Sequence, residues 1–185
     1  MNFNKHSAQE GQHAPFGASK SSWIRYDDDK LVTTYRNLKA AERGTRLHAF
    51  AAEAIALGIT LKDNTRTINR YVNDALGFRM SPEVVLFYSP HFFGTADAIS
   101  FRNHTLRISD YKSGKTGHVE QLEVYAALFC LEYKVKPADI TIILKLYKED
   151  QVETEEPDPQ VIVSIMEKIK HFDSILNKVD DEEEI

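Results

Sequence analysis

A chain of 185 residues, 42% hydrophobic and 28% charged, has the size and balance of one globular domain. No run approaches roughly 18 apolar residues and the N-terminus lacks an apolar export core, so neither a membrane span nor secretion is expected. The single cysteine, Cys130, excludes an internal disulfide and any four-cysteine zinc or iron–sulfur site within one chain, and it suits a reducing cytosol.

The net charge of −5 is unevenly spread. Residues 149–185 carry 13 acidic and 3 basic side chains, whereas residues 1–148 carry 20 basic and 15 acidic ones, a net of +5. The acidity gathers at the end, in Asp180-Asp181-Glu182-Glu183-Glu184, which reads as a solvated, disordered tail over 180–185. Residues 1–179 then read as one domain, with 1–18 polar and loose.

Taken in order, Ala41–Leu57 is predicted as a helix because Leu47, Ala51, Ala54 and Ile55 share a side, with Gly58 as its stop. A second helix is predicted from about Thr65 to Leu76, with Asn64 as N-cap and Gly77 just beyond its end. The period then shortens. Glu83–Tyr88, Gly94–Phe101 and His104–Lys112 read as strands, the last two joined by a tight turn at Arg102-Asn103. Val119–Tyr133 returns to helix, Ile140–Tyr147 is a buried strand, and Pro159–Val179 is a long amphipathic helix capped by Asp158. The order predicts an α/β domain, a central mixed sheet flanked by helices.

A two-residue loop at 102–103 sets Phe101 opposite His104 and Asp97 opposite Ile108. Asp97 and Asp110 then share a face as diagonal neighbours, with β-carbons roughly 7–8 Å apart. Lys112, two residues on, shares that face, as do the apolar Ile99, Leu106 and Ile108. Two carboxylates and an ammonium at the end of a core-facing row are costly unless they pair or hold a metal. Both readings stay open on spacing alone. Gln121 and Tyr125 lie one turn apart on the following helix, His48 borders the stripe of the first helix, and Glu83 opens the first strand.

Together these residues form a pattern: Gly44-x-x-x-His48, Glu83, Gly94-Thr-Ala-Asp97, Asp110-Tyr-Lys112-x-Gly114 and Gln121-Leu-x-x-Tyr125-Ala. It resembles the RecB-like and Cas4-like branch of the PD-(D/E)XK nuclease superfamily. The opening His13-Ala-Pro-Phe-Gly-Ala-Ser19-Lys-Ser21 with Trp23 is similar to the start of phage and prophage nucleases of that branch, and the likeness runs from about residue 13 to 147.

The resemblance implies a restriction-endonuclease-like core and a metal-dependent deoxyribonuclease, an exonuclease by preference, acting in recombination, repair or phage replication in a bacterial or phage-infected cytosol. It implies Mg²⁺ or Mn²⁺ held by His48, Asp97, Asp110 and the backbone carbonyl of Tyr111, with Lys112 as catalytic lysine. Gln121, Tyr125 and Glu83 would support the site or touch DNA. The iron–sulfur cluster of some relatives is ruled out by one cysteine, and there is neither room nor a P-loop for a nucleotide-driven helicase.

DNA would be held through phosphates, without sequence specificity, by bases such as Arg102, Arg107, Lys115, Lys134 and Lys136 and by the Ser113–Gly117 loop. An oligomer, or a recombination or replication protein as partner, is compatible with the pattern. Two rivals are a non-catalytic DNA-end-binding or partner-binding protein on the same fold, such as a phage modulator of host nucleases, and an assembly protein using the acidic tail.

Overall fold

The computed structural model describes residues 5–183 apart from 6, 10, 12 and 150. The chain divides into two compact units, Met1–Thr45 and Arg46–Ile185. No described residue before Ala51 is buried.

In the first unit, 3-10 turns cover Ser7–Gln9, within the 1–18 stretch expected to be loose, and Ala18–Arg25, from its last residue onward. Trp23 Nε1 donates to the Gly17 carbonyl at 3.1 Å. Helix α1 (Asp28–Ala56) starts well before Ala41 and runs on into the second unit. Asp27 Oδ1 accepts the Lys30 N–H at 2.7 Å and caps it, while Leu31, Tyr35 and Leu38 supply the early stripe. The helix stops as expected at Gly58, whose φ of 69° suits glycine.

The second unit continues with α2 (Thr67–Gly77), β1 (Ser81–Ser89), β2 (Phe92–Arg102), β3 (Thr105–Tyr111), α3 (Glu120–Glu132), β4 (Thr141–Tyr147), β5 (Val152–Glu155) and α4 (Pro159–Glu183). Asn64 is not the α2 cap; its Oδ1 takes the Arg66 N–H at 2.8 Å, an Asx turn that delays the helix to Thr67. Gly77 is inside α2, and the chain reverses at Arg79, φ 51°.

The five strands form one mixed sheet in the order β1-β2-β3-β4-β5. All pairs are antiparallel except β3 with β4, which α3 links by crossover. Strand β5, too short and too acidic to read as a strand, pairs with the outer side of β4. One face of the sheet packs Leu106, Ile108, Leu144 and Leu146 with Leu122, Ala126 and Ile162 of α3 and α4. The other packs Ala98, Tyr111 and Tyr147 with Ala51, Ala54, Tyr71 and Val72 of α1 and α2. Each fully buried leucine or isoleucine contributes about 1.5–3 kcal/mol.

The β2–β3 turn is not at 102–103. Arg102 pairs with Thr105 and Ile99 with Ile108, so the loop is Asn103-His104. Both residues have left-handed φ, 49° and 57°, as a type I′ turn demands, and asparagine tolerates that conformation better than arginine would. The pairing moves by two residues, an even step that keeps every β3 side chain on its expected face.

Helix α4 reaches Glu183, so Asp180–Glu183 is helical where a disordered tail was expected; residues 184 and 185 lie outside the described ones. A clamp holds that end. His91 in the β1–β2 turn meets Asp173 through Nδ1 (3.1 Å) and Asp180 through Nε2 (2.8 Å), and Ser89 Oγ also donates to Asp173.

The Asp173 and Asp180 hydrogen bonds raise the pKa of His91 above 6.5, so its contribution is complete below that pH and fades as pH rises through the raised value. Ser89 and then His91 lower Asp173 below 3.8, so its share is present above 3.8 and lost as pH falls through the lowered value. His91→Ala is expected to destabilise the protein most between about pH 3.8 and 6.5, with the gap from wild type closing in alkaline buffer, as thermal melts across pH would show.

Candidate active site

The site forms where β2 and β3 part. Ala98 opposite Ser109 is the last ladder pair toward this end, so Asp97 and Asp110 face each other one step beyond it, directly rather than diagonally.

Side-chain alternation breaks at Asp97. Ala96 packs in the α3 layer and Ala98 in the α1/α2 layer, although a regular strand would put both on one side. Opposite Asp97, between the pairs Val84–Ala96 and Pro82–Ala98, Glu83 has φ 51°. A left-handed glutamate within a strand marks a local distortion of the pair. Asp97 is thus turned out of the α3 layer into the gap between the strands, where its Oδ2 accepts the Tyr111 N–H at 3.0 Å and lies 3.1 Å from His48 Nδ1 of α1.

Asp110 points into the α3 layer, 1% exposed. Lys112 Nζ donates to its Oδ1 at 3.2 Å and to Gln121 Oε1 at 3.0 Å, and Gln121 Nε2 donates to Tyr125 OH at 3.0 Å. The second Asp110 oxygen, Oδ2, is 2.9 Å from Lys112 Nζ but off the hydrogen-bonding direction, and it accepts no hydrogen bond.

Two glycines make the arrangement fit. A β-carbon on Gly94 would lie 2.9 Å from Tyr125 Cε1, and one on Gly117 would lie 3.0 Å from Lys112 Cγ. The lysine backbone is fixed as well, since its N–H donates to the Tyr147 carbonyl at 2.8 Å and extends the β3–β4 ladder to the site.

The electrostatics follow. Burial, and then the field of Asp97, push Asp110 up to about 6 against the pull of Lys112. The Asp97 hydrogen bond raises His48 despite burial, and burial followed by Asp97 raises Glu83. Those couplings place Glu83 electrically beside Asp97 and His48. Lys115 instead lines a neighbouring cleft with His118, Lys148, Glu153 and Glu155.

The donor types, one imidazole and two carboxylates with an unsatisfied buried oxygen, suit a hard divalent cation. Among the described residues no three His, Cys, Asp or Glu side chains stand already arranged around one point, and His48 and Asp97 face each other.

The chain matches no family model and no curated protein.

Sequence reasoning did not single out Tyr71 and Tyr147, which shelve the site from beneath. Tyr71 contacts Tyr111 and Tyr147 at ring centroid distances of 5.9 and 5.3 Å, and Tyr111 contacts His48 at 5.8 Å. Tyr71 has a weak signal, one turn from Ile68 and Ala75 on the apolar side of α2. Among the described residues no helix is long and apolar enough to cross a membrane.

Proposed function

We propose that this chain is a divalent-metal-dependent deoxyribonuclease of the PD-(D/E)XK type, hydrolysing phosphodiester bonds at the mouth of the β2–β3 hairpin. The observation that carries the reading is the buried Asp110 carboxylate, both oxygens beside Lys112 Nζ but only one of them hydrogen-bonded, facing Asp97 across parting strands. A buried carboxylate with a raised proton affinity, one oxygen of which meets Lys112 Nζ at 2.9 Å without accepting a hydrogen bond, is a good cation ligand.

His48, Asp97 and Asp110 would hold Mg²⁺ or Mn²⁺. When bound, such an ion supplies a Lewis acid for the phosphate and eases deprotonation of the attacking water.

The chain's own groups supply the rest. Lys112 uses two of its three N–H bonds on Asp110 and Gln121, which leaves the third for a phosphate oxygen as charge builds in the transition state. Gln121 and Tyr125 fix the direction of that ammonium. Asp97, steadied by Tyr111 N–H and His48, keeps its carboxylate near Asp110.

End-labelled linear, circular and single-stranded DNA digested with Mg²⁺, Mn²⁺ or EDTA tests the proposal. Cleavage with either metal, absent in EDTA and reduced at least about 10²-fold in Lys112→Ala, is the expected result. DNA binding without cleavage under Mn²⁺ would overturn it in favour of a non-catalytic binding protein.

A further inference from the structure

The hairpin of β1 and β2 carries a second feature on the side away from α3. Gly94 and Ala96 face α3, as do Leu86 and the partly buried Val84, so Phe93 and Thr95 of β2 and Val85 and Phe87 of β1 face the other way. These four pair in register, Val85 with Thr95 and Phe87 with Phe93. Their apolar members are open, with Val85 55%, Phe87 48% and Phe93 60% exposed, and the two rings lie 6.3 Å apart. The same row runs into the site, because Asp97 follows Phe93 and Thr95 on this side, about 13 Å along the strand.

We propose that Phe87 and Phe93, with Val85, form a stacking platform for unpaired bases of a DNA strand whose backbone runs to Asp97. The inference rests on the nuclease reading and adds the substrate form, single-stranded DNA or a frayed end.

Two observations select this occupant. Continuity with the acidic site is the first: bases resting on the rings leave their backbone within a few nucleotides of Asp97. Size is the second, since two half-exposed rings and a valine offer on the order of 300 Å², well below the roughly 800 Å² per partner of a stable protein contact. Addition of another strand at the β1 edge is disfavoured, as Glu132 already accepts the Phe87 N–H at 2.8 Å and Pro82 has none to offer. Aromatic faces stack on any base, so the platform selects unpaired strands without reading sequence.

The test compares binding of a fluorescent oligo(dT) and an abasic oligomer of equal length in EDTA, by anisotropy, for wild type, Phe87→Ala/Phe93→Ala and Phe93→Trp. The double variant should bind oligo(dT) about tenfold or more weakly, with abasic binding unchanged, and Phe93→Trp should retain oligo(dT) affinity. Equal loss for both oligomers, no loss, or no binding of either by wild type overturns the platform. So does a change of oligomeric state on sedimentation of the double variant, which would make the face a protein contact. Wild type that cleaves DNA with no ring dependence defeats the platform alone; ring-dependent binding without metal-dependent cleavage defeats the nuclease reading alone.

Discussion

Asp110→Asn is expected to abolish metal-dependent cleavage and, in the same protein freed of metal, to raise the melting temperature above pH 6. Asp110 has its folded pKa raised from 3.8 to about 6, chiefly by burial and secondly by Asp97. A raised folded value means the group favours the fold when protonated, below pH 3.8, and that this advantage disappears as pH climbs through about 6. Above that, an ionised carboxylate sits in a 1% exposed position at a cost on the order of 3 kcal/mol.

Asparagine keeps the shape and removes the charge, so the variant should melt roughly 5–10 °C higher at pH 7.5 in EDTA and close to wild type at pH 4. Cleavage of end-labelled DNA should fall at least about 10²–10³-fold. A purely structural Asp110–Lys112 pair demands the opposite sign, because breaking a buried pair destabilises. A drop in melting temperature at pH 7.5 would therefore count against a site kept for its chemistry.

The second large effect is one of stability. Asp74 of α2 accepts Lys145 Nζ and Tyr147 OH, each at 2.6 Å, on one oxygen, with Arg70 Nε at 4.0 Å. Burial alone would raise Asp74, but the hydrogen bonds from Lys145 and Tyr147 together outweigh it and leave its pKa below 3.8. Asp74→Ala takes from the hydroxyl of Tyr147, a fully buried residue, its carboxylate acceptor and leaves it only Ser109, and it removes the partner of a mostly covered lysine.

The expected cost is about 2–3 kcal/mol, seen as a melting temperature roughly 4–10 °C lower at neutral pH. The lowered pKa means the stabilisation is present above pH 3.8 and lost as pH falls through the lowered folded value, so the two proteins should converge in acid. Tyr147→Phe removes donor and hydroxyl together and should cost only about 1 kcal/mol. If Asp74→Ala melts like wild type at pH 7, the network is a surface ornament and the α2–β4 junction is held by packing alone.

Much of the architecture is visible in the order of residues. The switch from helical spacing to alternation near residue 83, and back near 119, reflects which side chains must meet the core, and that pattern is local. Asp158 and Pro159 at the start of α4 and Gly58 after α1 act within a few residues and read directly. What failed was also physical. Asn64 competes as a cap and as an Asx turn with nearly equal local chemistry, and only the packing of α2 selects the turn. The hairpin could close at 102–103 or 103–104, and the left-handed demand on two adjacent residues decides for Asn103-His104. The helical Asp180–Glu183 segment follows from His91, 89 residues away from Asp180 in sequence, a partner no local window contains.

For the candidate site, sequence alone determined the cast: Asp97, Asp110 and Lys112 on neighbouring strands, with Gln121 and Tyr125 one turn apart on the next helix, because strand period and helix pitch act at short range. Tertiary structure alone decided how they meet. The break in alternation at Asp97, the approach of His48 from α1, and the tyrosine shelf of Tyr71 and Tyr147 arise from contacts between distant segments, where core packing and the burial of charge outweigh local preference.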